Sequence, residues 1–362
     1  MNNKKYNIPS YDALMRYAGS LGFGDIRAKI DQKTGLHAMI AVHSKELGPA
    51  IGGCRFQHYS SANLAMKDLL RLAFGMTLKA AAAHLPHGGA KAVIIKPKGQ
   101  YDRAKLMHSF GDFVEQVQGD YITSMDVGTT ASDMNLIREH TDYVIGAETD
   151  KNVVDPTPYT SIGVFRGIEA AVKYQLGRDS VEGLHIAIQG AGKTAYYLCK
   201  HLHKSGAKIT VCDTHTDHLP RFQEEFNATV VQPEAIYDVA CDVFSPCAVG
   251  GIINLDTLKR LKSRIIAGSA NNQLAHQKYS EVMQQKDILF APDYVINAGG
   301  LIAAAMAYDH KTDEQILSTV ELIYTRLLAL FAEAQETKQP TSVVAVELAK
   351  RYAQTKSEAV IA

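Results

Sequence analysis

Apolar and polar positions in the first 150 residues have the spacing of both strands and helices. Three apolar runs have the length and flanking residues of strands, at 36–44, 91–96 and 121–126. Between them, apolar residues recur with helical spacing and predict one long helix over 61–83. Ser60 or Ser61 serves as its N-cap, and Pro86 follows its end.

The pattern changes from about Val181 onward. Short strand-like runs then alternate with helical or polar stretches, at 184–189, 208–213, 228–232, 241–245, 264–268 and 288–291. This alternation is typical of a parallel α/β sheet. A helix over Ser161–Gln175 resembles a connector between domains, and amphipathic helices are predicted at 314–336 and 342–356.

We therefore predict an α/β protein with two domains, which suits a chain of 362 residues. Residues 1–148 form the first domain, and residues 149–336, which contain the alternating strands, form the second. We place the boundary between 145 and 155, and we expect residues 337–362 to return to the first domain.

Composition narrows the classes of partner. The 38 basic residues balance the 38 acidic ones, which gives no electrostatic reason to expect nucleic acid or an anionic membrane as partner. The N-terminus lacks a signal peptide, and no segment approaches the ~20 apolar residues of a membrane span. The five cysteines are scattered without a CxxC, which predicts reduced thiols in a cytoplasmic protein.

A glycine-rich turn follows the predicted strand 184–189. Gly190 allows the tight turn, Gly192 lets the backbone approach a pyrophosphate, and Ala195 lets the next helix pack on the strand. That helix begins at Lys193 and Thr194, and its N-terminus offers N–H groups to phosphates. The alternative is a turn of the same kind that binds no nucleotide.

Asp213 ends the next strand, 23 residues after Gly190. In this context its carboxylate accepts hydrogen bonds from the adenine ribose and repels a 2′-phosphate, which favours NAD over NADP as cofactor. Alternatively, Asp213 caps a helix.

Two lysines stand in apolar surroundings. Lys79 lies on the apolar face of the predicted helix 61–83, and Lys91 opens an apolar strand. One would fix a substrate carboxylate, while the other, desolvated and repelled by its neighbour, would act as a base, with Asp126 shuttling protons or pairing with a lysine. Alternatively, Lys79 extends from a helix edge, Lys91 caps a strand and Asp126 forms a turn.

This half of the chain also contains a glycine pair and two histidines. Gly52 and Gly53, before Cys54 and Arg55, are positions where backbone could approach a small ligand. His84 and His87 lack the further ligands that a metal site needs, so we assign them to loop or packing roles and predict no metal.

Taken together, these segments resemble the leucine/phenylalanine/valine branch of the amino-acid dehydrogenases, relatives of glutamate dehydrogenase. The similarity runs from about residue 11 to 355 through GPAIGGCRF, RLAFGMTLKAAAA, GGAKAVII, MDVGTT, IQGAGKTA, FSPCAVGGIIN, GSANNQL and APDYVINAGGL. It implies NAD-dependent, reversible oxidative deamination of an L-amino acid to a 2-oxo acid and ammonia. It also implies a homo-oligomer, either an octamer or a dimer. By the same resemblance, residues 1–148 form the substrate-binding and oligomerisation domain, and a cleft separates it from a Rossmann-type dinucleotide-binding domain over 149–336.

The resemblance assigns individual roles. Lys79 matches the lysine that holds the substrate carboxylate, Lys91 the catalytic lysine that accepts the amine proton and activates water, and Asp126 the aspartate of proton transfer. Asn271 or Asn272 would reach the substrate carboxylate or the nicotinamide ribose. Further cofactor contacts are implied at Thr160, which orients the carboxamide, and at Asn297 in the nicotinamide region.

The chain departs from the family pattern at Met125, Ala90 and Lys193–Thr194, none of which is a catalytic group. By resemblance, the substrate side chain lies near Ile51, Ser124, Leu301 and Ala304, with no cationic pair for glutamate. We favour leucine and other branched chains and keep phenylalanine as the alternative, because one methylene changes selectivity by only ~1–3 kcal/mol. The rival classes are an inactive nucleotide-binding regulator and a hydroxy-acid dehydrogenase.

Overall fold

A computed structural model describes residues 8–148 and 154–361. Contacts between Cα atoms divide the chain into two compact units. The first unit contains Met1–Val154, Ala307–His310 and Arg351–Ala362, and the second contains Asp155–Met306 and Lys311–Lys350. The predicted domain limits at 148 and 336 stay predictions.

The first unit is built on one five-stranded sheet with helices on both faces. Its elements are α1 (Tyr11–Leu21), β1 (Asp25–Asp31), β2 (Leu36–Ser44), β3 (Ala50–Gln57), α2 (Ala62–Ala82), β4 (Gly88–Ile95), α3 (Arg103–Glu115), β5 (Tyr121–Met125) and α4 (Ala131–Arg138). The strand order is β1-β2-β4-β3-β5. Strand β3 runs parallel to β4 and β5, whereas β2 is antiparallel to β1 and β4.

Alternate residues of these strands enter two separate cores, as the period of two requires. One face of the sheet packs Ile40, Ala92 and Ile94 with residues of α3 and α4. The other face packs Met39, Ala41 and Val93 against buried residues of α2. The second face carries the candidate site residue Lys91. Lys91 and Val93 are two positions apart on β4, so their side chains lie on the same face.

The second unit contains a six-stranded sheet of order β11-β10-β9-β6-β7-β8 in which every pair is parallel. Its strands are β6 (His185–Gln189), β7 (Lys208–Cys212), β8 (Thr229–Val230), β9 (Val243–Pro246), β10 (Ile265–Ile266) and β11 (Leu289–Phe290). They correspond to the six predicted runs, with shorter bounds. The Rossmann-type α/β prediction is confirmed.

The remaining helices begin in this unit. They are α5 (Pro156–Leu176), α6 (Lys193–Lys204), α7 (Leu219–Phe226), α8 (Leu255–Arg260), α9 (Tyr279–Gln285), α10 (Asp293–Ile296), α11 (Gly299–Tyr308), α12 (Asp313–Glu321), α13 (Ile323–Thr337) and α14 (Thr341–Ile361). The helix predicted at 314–336 corresponds to α12 and α13, which are separated by the single residue Leu322.

The segment Asp313–Thr337 has the length and mean hydropathy, 1.3, of a membrane span, contrary to the expectation that no segment approaches one. Its apolar character has another explanation in the fold. A Cβ at Gly163 or Gly167 of α5 would lie 2.7 Å from Ile323 Cδ1 or 2.9 Å from Leu327 Cδ1, so α13 packs closely on α5. Burial of Leu327 and Phe331 is what a core helix requires.

Candidate active site

Strand register brings several predicted residues to one face of the first unit's sheet. Ile51 pairs with Gly89, and Gly53 pairs with Ser124. Side chains alternate along a strand, so Lys91 lies on the same face as Gly89, Ile51 and Ser124. Ile51 is buried and Ser124 is half-buried.

Helix α2 crosses this face close to Lys91. A Cβ at Gly89 would lie 2.0 Å from the backbone nitrogen of Thr77, so only glycine permits the approach. Lys79 follows Thr77 by two residues, in the last turn of α2, and is half-buried. The fold thus brings the helix turn that carries Lys79 onto the sheet face that carries Lys91.

Lys91 and Asp126 form a buried ion pair. The distance from Lys91 Nζ to Asp126 Oδ2 is 3.2 Å, and the lysine side chain is only 7% exposed. Burial lowers the pKa of Lys91 below its ordinary 10.5, although the charge of Asp126 acts in the opposite direction. For Asp126, burial raises the pKa, but Lys91 and Arg55 outweigh it and leave the carboxyl below its usual range.

Gly52 and Gly53 are required by the packing of β3 between its neighbours. A Cβ at Gly52 would lie 1.7 Å from the Ala90 carbonyl oxygen. At Gly53 a Cβ would meet the Met125 carbonyl oxygen at 2.7 Å and Lys91 Nζ at 3.2 Å. The missing side chain at Gly53 therefore leaves the space that the Lys91 and Asp126 groups occupy, whereas Gly52 permits the close approach of the β4 backbone.

Arg55 belongs to this site, although no functional role was predicted for it. Its Nε–H donates to Asp126 Oδ2 at 2.9 Å, and its terminal nitrogen pairs with Asp68 Oδ2 at 2.7 Å. After burial, its charge also lowers the pKa of Lys91. The repulsion predicted between Lys79 and Lys91 stays a prediction. The alternation Ile51, Gly53, Arg55 on one strand was the available signal.

The loop after β5 fixes Asp126. The Asp126 backbone N–H donates to Thr129 Oγ1 at 2.9 Å, and Thr129 N–H donates to the Asp126 carbonyl at 3.1 Å. Gly128 has φ +85°, and a Cβ there would lie 1.8 Å from the Phe56 carbonyl oxygen. Asp126 thus forms the turn that the alternative interpretation expected, while its side chain pairs with Lys91 and Arg55.

In the second unit, the glycine-rich turn lies at the carboxyl end of β6. Gly190 has φ +107°, and a Cβ there would lie 2.8 Å from Ala248 Cβ. Gly192 is the N-cap of α6 and supplies no side-chain hydrogen bond, so Lys193 and Thr194 open a helix with uncapped N–H groups. Ala195 is buried where α6 packs on the sheet.

The Asp213 side chain forms hydrogen bonds with the backbone of this turn and of the segment after β7. Its Oδ2 accepts the Ala191 N–H at 2.6 Å, and its Oδ1 accepts the His215 N–H at 2.8 Å. Desolvation raises its pKa, but these backbone bonds prevail and hold the carboxyl below its ordinary value. Oδ2 keeps a further lone pair for a ribose hydroxyl, whereas Oδ1 also accepts the Thr214 hydroxyl at 3.4 Å. The uncapped helix and the ionised Asp213 therefore fit a dinucleotide without a 2′-phosphate.

Two of the predicted asparagines meet in the second unit. Asn297 Nδ2 donates to Asn271 Oδ1 at 2.8 Å and to the Ser269 carbonyl at 2.9 Å. Asn297 Oδ1 is buried without a hydrogen-bond partner among the residues that the structure describes, as an oxygen reserved for a ligand would be. Asn272 has φ +53°, and its N–H donates to Asp293 Oδ2.

Other predicted residues lie on α5 and α11. Thr160 Oγ1 donates to the Pro156 carbonyl at 2.9 Å, and a Cβ at Gly300 would lie 2.5 Å from this hydroxyl. Leu301 and Ala304 are half-buried and three residues apart, hence on one face of α11. Thr160 and the start of α11 are therefore close together.

The two histidines considered for a metal have other partners. His84 stacks on Tyr352 with ring centroids 4.0 Å apart. His87 bonds to Asp309 Oδ2 at 2.8 Å and to the Pro49 carbonyl at 3.1 Å. Across residues 8–148 and 154–361, no three His, Cys, Asp or Glu side chains gather in a way that could hold a metal ion.

Family models match both halves of the chain. Residues 24–143 match the Glu/Leu/Phe/Val dehydrogenase dimerisation domain, and residues 211–356 match the glutamate/leucine/phenylalanine/valine dehydrogenase domain.

Individual relatives agree with these models. Leucine dehydrogenase of Geobacillus stearothermophilus is 43% identical over 96% of this chain and 95% of its own. Phenylalanine dehydrogenase of Lysinibacillus sphaericus is 40% identical, over 84% of this chain and 81% of its own. The crystal structure of L-tryptophan dehydrogenase from Nostoc punctiforme superposes with a TM-score of 0.86 at 38% identity, covering 95% of this chain and 99% of that one. The chain therefore belongs to the glutamate/leucine/phenylalanine/valine dehydrogenase family and is an NAD-dependent amino-acid dehydrogenase.

Proposed function

We propose that this enzyme oxidatively deaminates L-leucine and other branched-chain amino acids to the 2-oxo acids and ammonia, and catalyses the reverse amination. The observation that carries this proposal is the buried Lys91 amine, with a lowered pKa, held 3.2 Å from Asp126 Oδ2. A desolvated lysine beside a carboxylate can exchange protons with an amine substrate near neutral pH.

Lys91 accepts a proton from the substrate ammonium, which frees the nitrogen lone pair. NAD, when bound, accepts the hydride that leaves the substrate Cα. Lys91 passes the ammonium proton to Asp126, 3.2 Å away, and is then neutral again to remove a proton from the water that attacks the resulting iminium carbon. Asp126 delivers its proton to the departing nitrogen and takes up the carbinol hydroxyl proton as the carbinolamine collapses to the oxo acid and ammonia. The 7% exposure of Lys91 limits competing exchange with bulk water.

The remaining residues bind and orient. Lys79 pairs with the substrate carboxylate, and the backbone at Gly52 and Gly53 approaches the substrate. Asn271 or Asn272 contacts the carboxylate or the nicotinamide ribose. The buried Oδ1 of Asn297 accepts a hydrogen bond in the nicotinamide region.

The same proposal assigns the cofactor contacts. Thr160 orients the carboxamide of the nicotinamide. The turn from Gly190 through Gly192 to Ala195, with Lys193 and Thr194, holds the pyrophosphate. Asp213 accepts the ribose hydroxyls. The uncapped N–H groups of α6 support this arrangement.

The side-chain preference rests on four positions: Ile51, Ser124, Leu301 and Ala304. Three are apolar and none is charged, which suits an aliphatic side chain. The 43% identity to a leucine dehydrogenase supports leucine. Phenylalanine is the second candidate, because a phenylalanine dehydrogenase is 40% identical and Ala304 is small.

We also propose an organisation for the chain. Residues 1–148 bind substrate and mediate homo-oligomerisation, in agreement with the dimerisation-domain description of 24–143, and the oligomer is an octamer or a dimer. Residues 149–336 bind NAD, and 337–362 belong with the first domain. The enzyme works in the cytoplasm in branched-chain amino-acid catabolism.

The test is NADH formation at alkaline pH with a panel of L-amino acids: leucine, isoleucine, valine, phenylalanine, tryptophan and glutamate. We expect the highest kcat/KM with leucine or another branched chain. A highest value with phenylalanine or tryptophan would overturn the branched-chain assignment and keep the reaction. Failure with every member would favour a nucleotide-binding regulator that lacks activity.

A further inference from the structure

Arg55 joins three elements of the first unit at the Lys91 site. It lies in β3, pairs with Asp68 of α2 and with Asp126 of the loop after β5, and is only 16% exposed. Tyr59 donates a further hydrogen bond to Asp68 Oδ2 at 2.9 Å. The guanidinium is thus held between two carboxylates in the fork geometry that arginine provides and lysine does not.

The contacts of Asp126 are asymmetric. Lys91 and Arg55 both contact Oδ2, at 3.2 Å and 2.9 Å. Within the part of the chain that the structure describes, no hydrogen bond reaches Oδ1. One oxygen is therefore fixed by two cations, and the other is left to exchange a proton.

Arg55 also acts electrostatically on both partners. Its charge helps to lower the pKa of Asp126, which keeps that carboxyl ionised, and after burial it also lowers the pKa of Lys91. Arginine keeps its charge throughout the working pH range. Both directions favour the protonation states that the deamination needs, a neutral base beside an ionised acceptor.

We propose that Arg55 is a positioning residue of the deamination: its Nε–H holds Asp126 Oδ2, so that Oδ1 is the oxygen that exchanges the proton. The proposal rests on the function proposed above. Asp68 is the anchor that orients the guanidinium. The alternative is that Arg55 merely ties β3, α2 and the β5 loop together.

The experiment compares Arg55→Gln, which removes the charge, with Arg55→Lys, which keeps the charge and loses the fork. Arg27→Gln is the matched control, because Arg27 forms an ion pair with Asp25 on the edge strand β1 of the same sheet. Three experiments are made on each variant: steady-state kinetics that give the kcat and KM for leucine, the pH profile of kcat, and the pH midpoint of Lys91 acetylation in the protein without ligands.

We expect Arg55→Gln to lower kcat about tenfold or more, with KM changed by less than about threefold, because a proton-transfer contact and not a binding contact is lost. Its kcat profile and acetylation midpoint should both move to higher pH. Arg55→Lys should restore the wild-type midpoint and keep the low kcat. Arg27→Gln should match the wild type in all three.

Two results would overturn the proposal. The first is a kcat and a pH profile in Arg55→Gln that equal those of the wild type. The second is a lower melting temperature with unchanged kinetics, which would show that Arg55 has a purely structural role. If Arg55→Gln does not fold, Asp68→Asn replaces it and must lower kcat by weakening the anchor. The acetylation midpoint distinguishes failure of the Arg55 proposal from failure of the proposed deamination, because acetylation needs no turnover. A wild type without activity would refute the proposed deamination. A midpoint that does not move in Arg55→Gln would refute the role proposed for Arg55.

Discussion

The amine of Lys91 lies 3.2 Å from Oδ2 of Asp126, in a site where the lysine is 7% exposed and the aspartate 20% exposed. Burial favours the neutral amine, whereas the carboxylate favours the ammonium, and burial prevails. Lys91 consequently gives up its proton at a lower pH than an ordinary lysine does. A lowered pKa suits a residue that must accept and return protons.

The first prediction concerns pH. As a base, Lys91 must be neutral, and its pKa lies below 10.5, so kcat for leucine oxidation should rise with pH and level off before 10.5. The rate of reductive amination, which needs the protonated lysine, should fall over the same interval. Initial rates at saturating substrate in both directions check this. A kcat for oxidation that is constant up to pH 10.5 would refute it.

The second prediction concerns Gly53. In Gly53→Ala the new Cβ would meet the Met125 carbonyl oxygen at 2.7 Å and Asp126 Cβ at 2.9 Å. We expect the free energy of unfolding to fall by ~1–3 kcal/mol, as in other overpacked cores, and kcat to fall because Asp126 is displaced. Gly99→Ala is the control, since nothing lies within 4 Å of that Cβ. Equal effects of the two substitutions on kcat would contradict the account.

The third prediction separates two roles of Asp213. Its carboxylate holds the Ala191 N–H at 2.6 Å and should also repel a 2′-phosphate. Asp213→Asn keeps one of the two acceptor oxygens and loses the charge, so the NAD-to-NADP ratio of kcat/KM should fall about tenfold with a small fall in melting temperature. Asp213→Ala should lower the melting temperature further. A ratio unchanged in both variants would leave Asp213 a purely structural role.

The fourth prediction concerns Ala304. It lies one turn from Leu301 on α11, and both are half-buried. If they line the substrate pocket, Ala304→Val should lower the kcat/KM of phenylalanine relative to leucine by about tenfold or more, as one or two methyl groups do in such pockets. Leu317→Ala, an exposed apolar position on α12, is the control. A constant ratio would remove Ala304 from the pocket.

The second unit could be predicted well because strands buried on both faces are apolar runs separated by helices. Strand β3 was missed because Gly52 and Gly53 have low strand propensity. Glycine is needed at these two positions because Ala90 and Lys91 approach them closely. The break between α12 and α13 was missed because the apolar spacing continues through Leu322.

Two charged residues of the candidate site, Lys91 and Asp126, could be picked out from the sequence because charge is unexpected in apolar runs. Their separation of 3.2 Å could not. Arg55 lies at the end of its strand, where an arginine is ordinary, and only the fold shows that it lies between Asp68 and Asp126.

The most direct test of the central claim is the rate of NADH formation from leucine by Lys91→Met, which keeps the length of the side chain and removes the amine. We predict a loss of kcat of about 10³-fold or more, because the base that starts the reaction is gone, with NAD affinity by fluorescence titration within about threefold of the wild type. Retention of more than about a tenth of the wild-type kcat would contradict the assignment of Lys91 as the base.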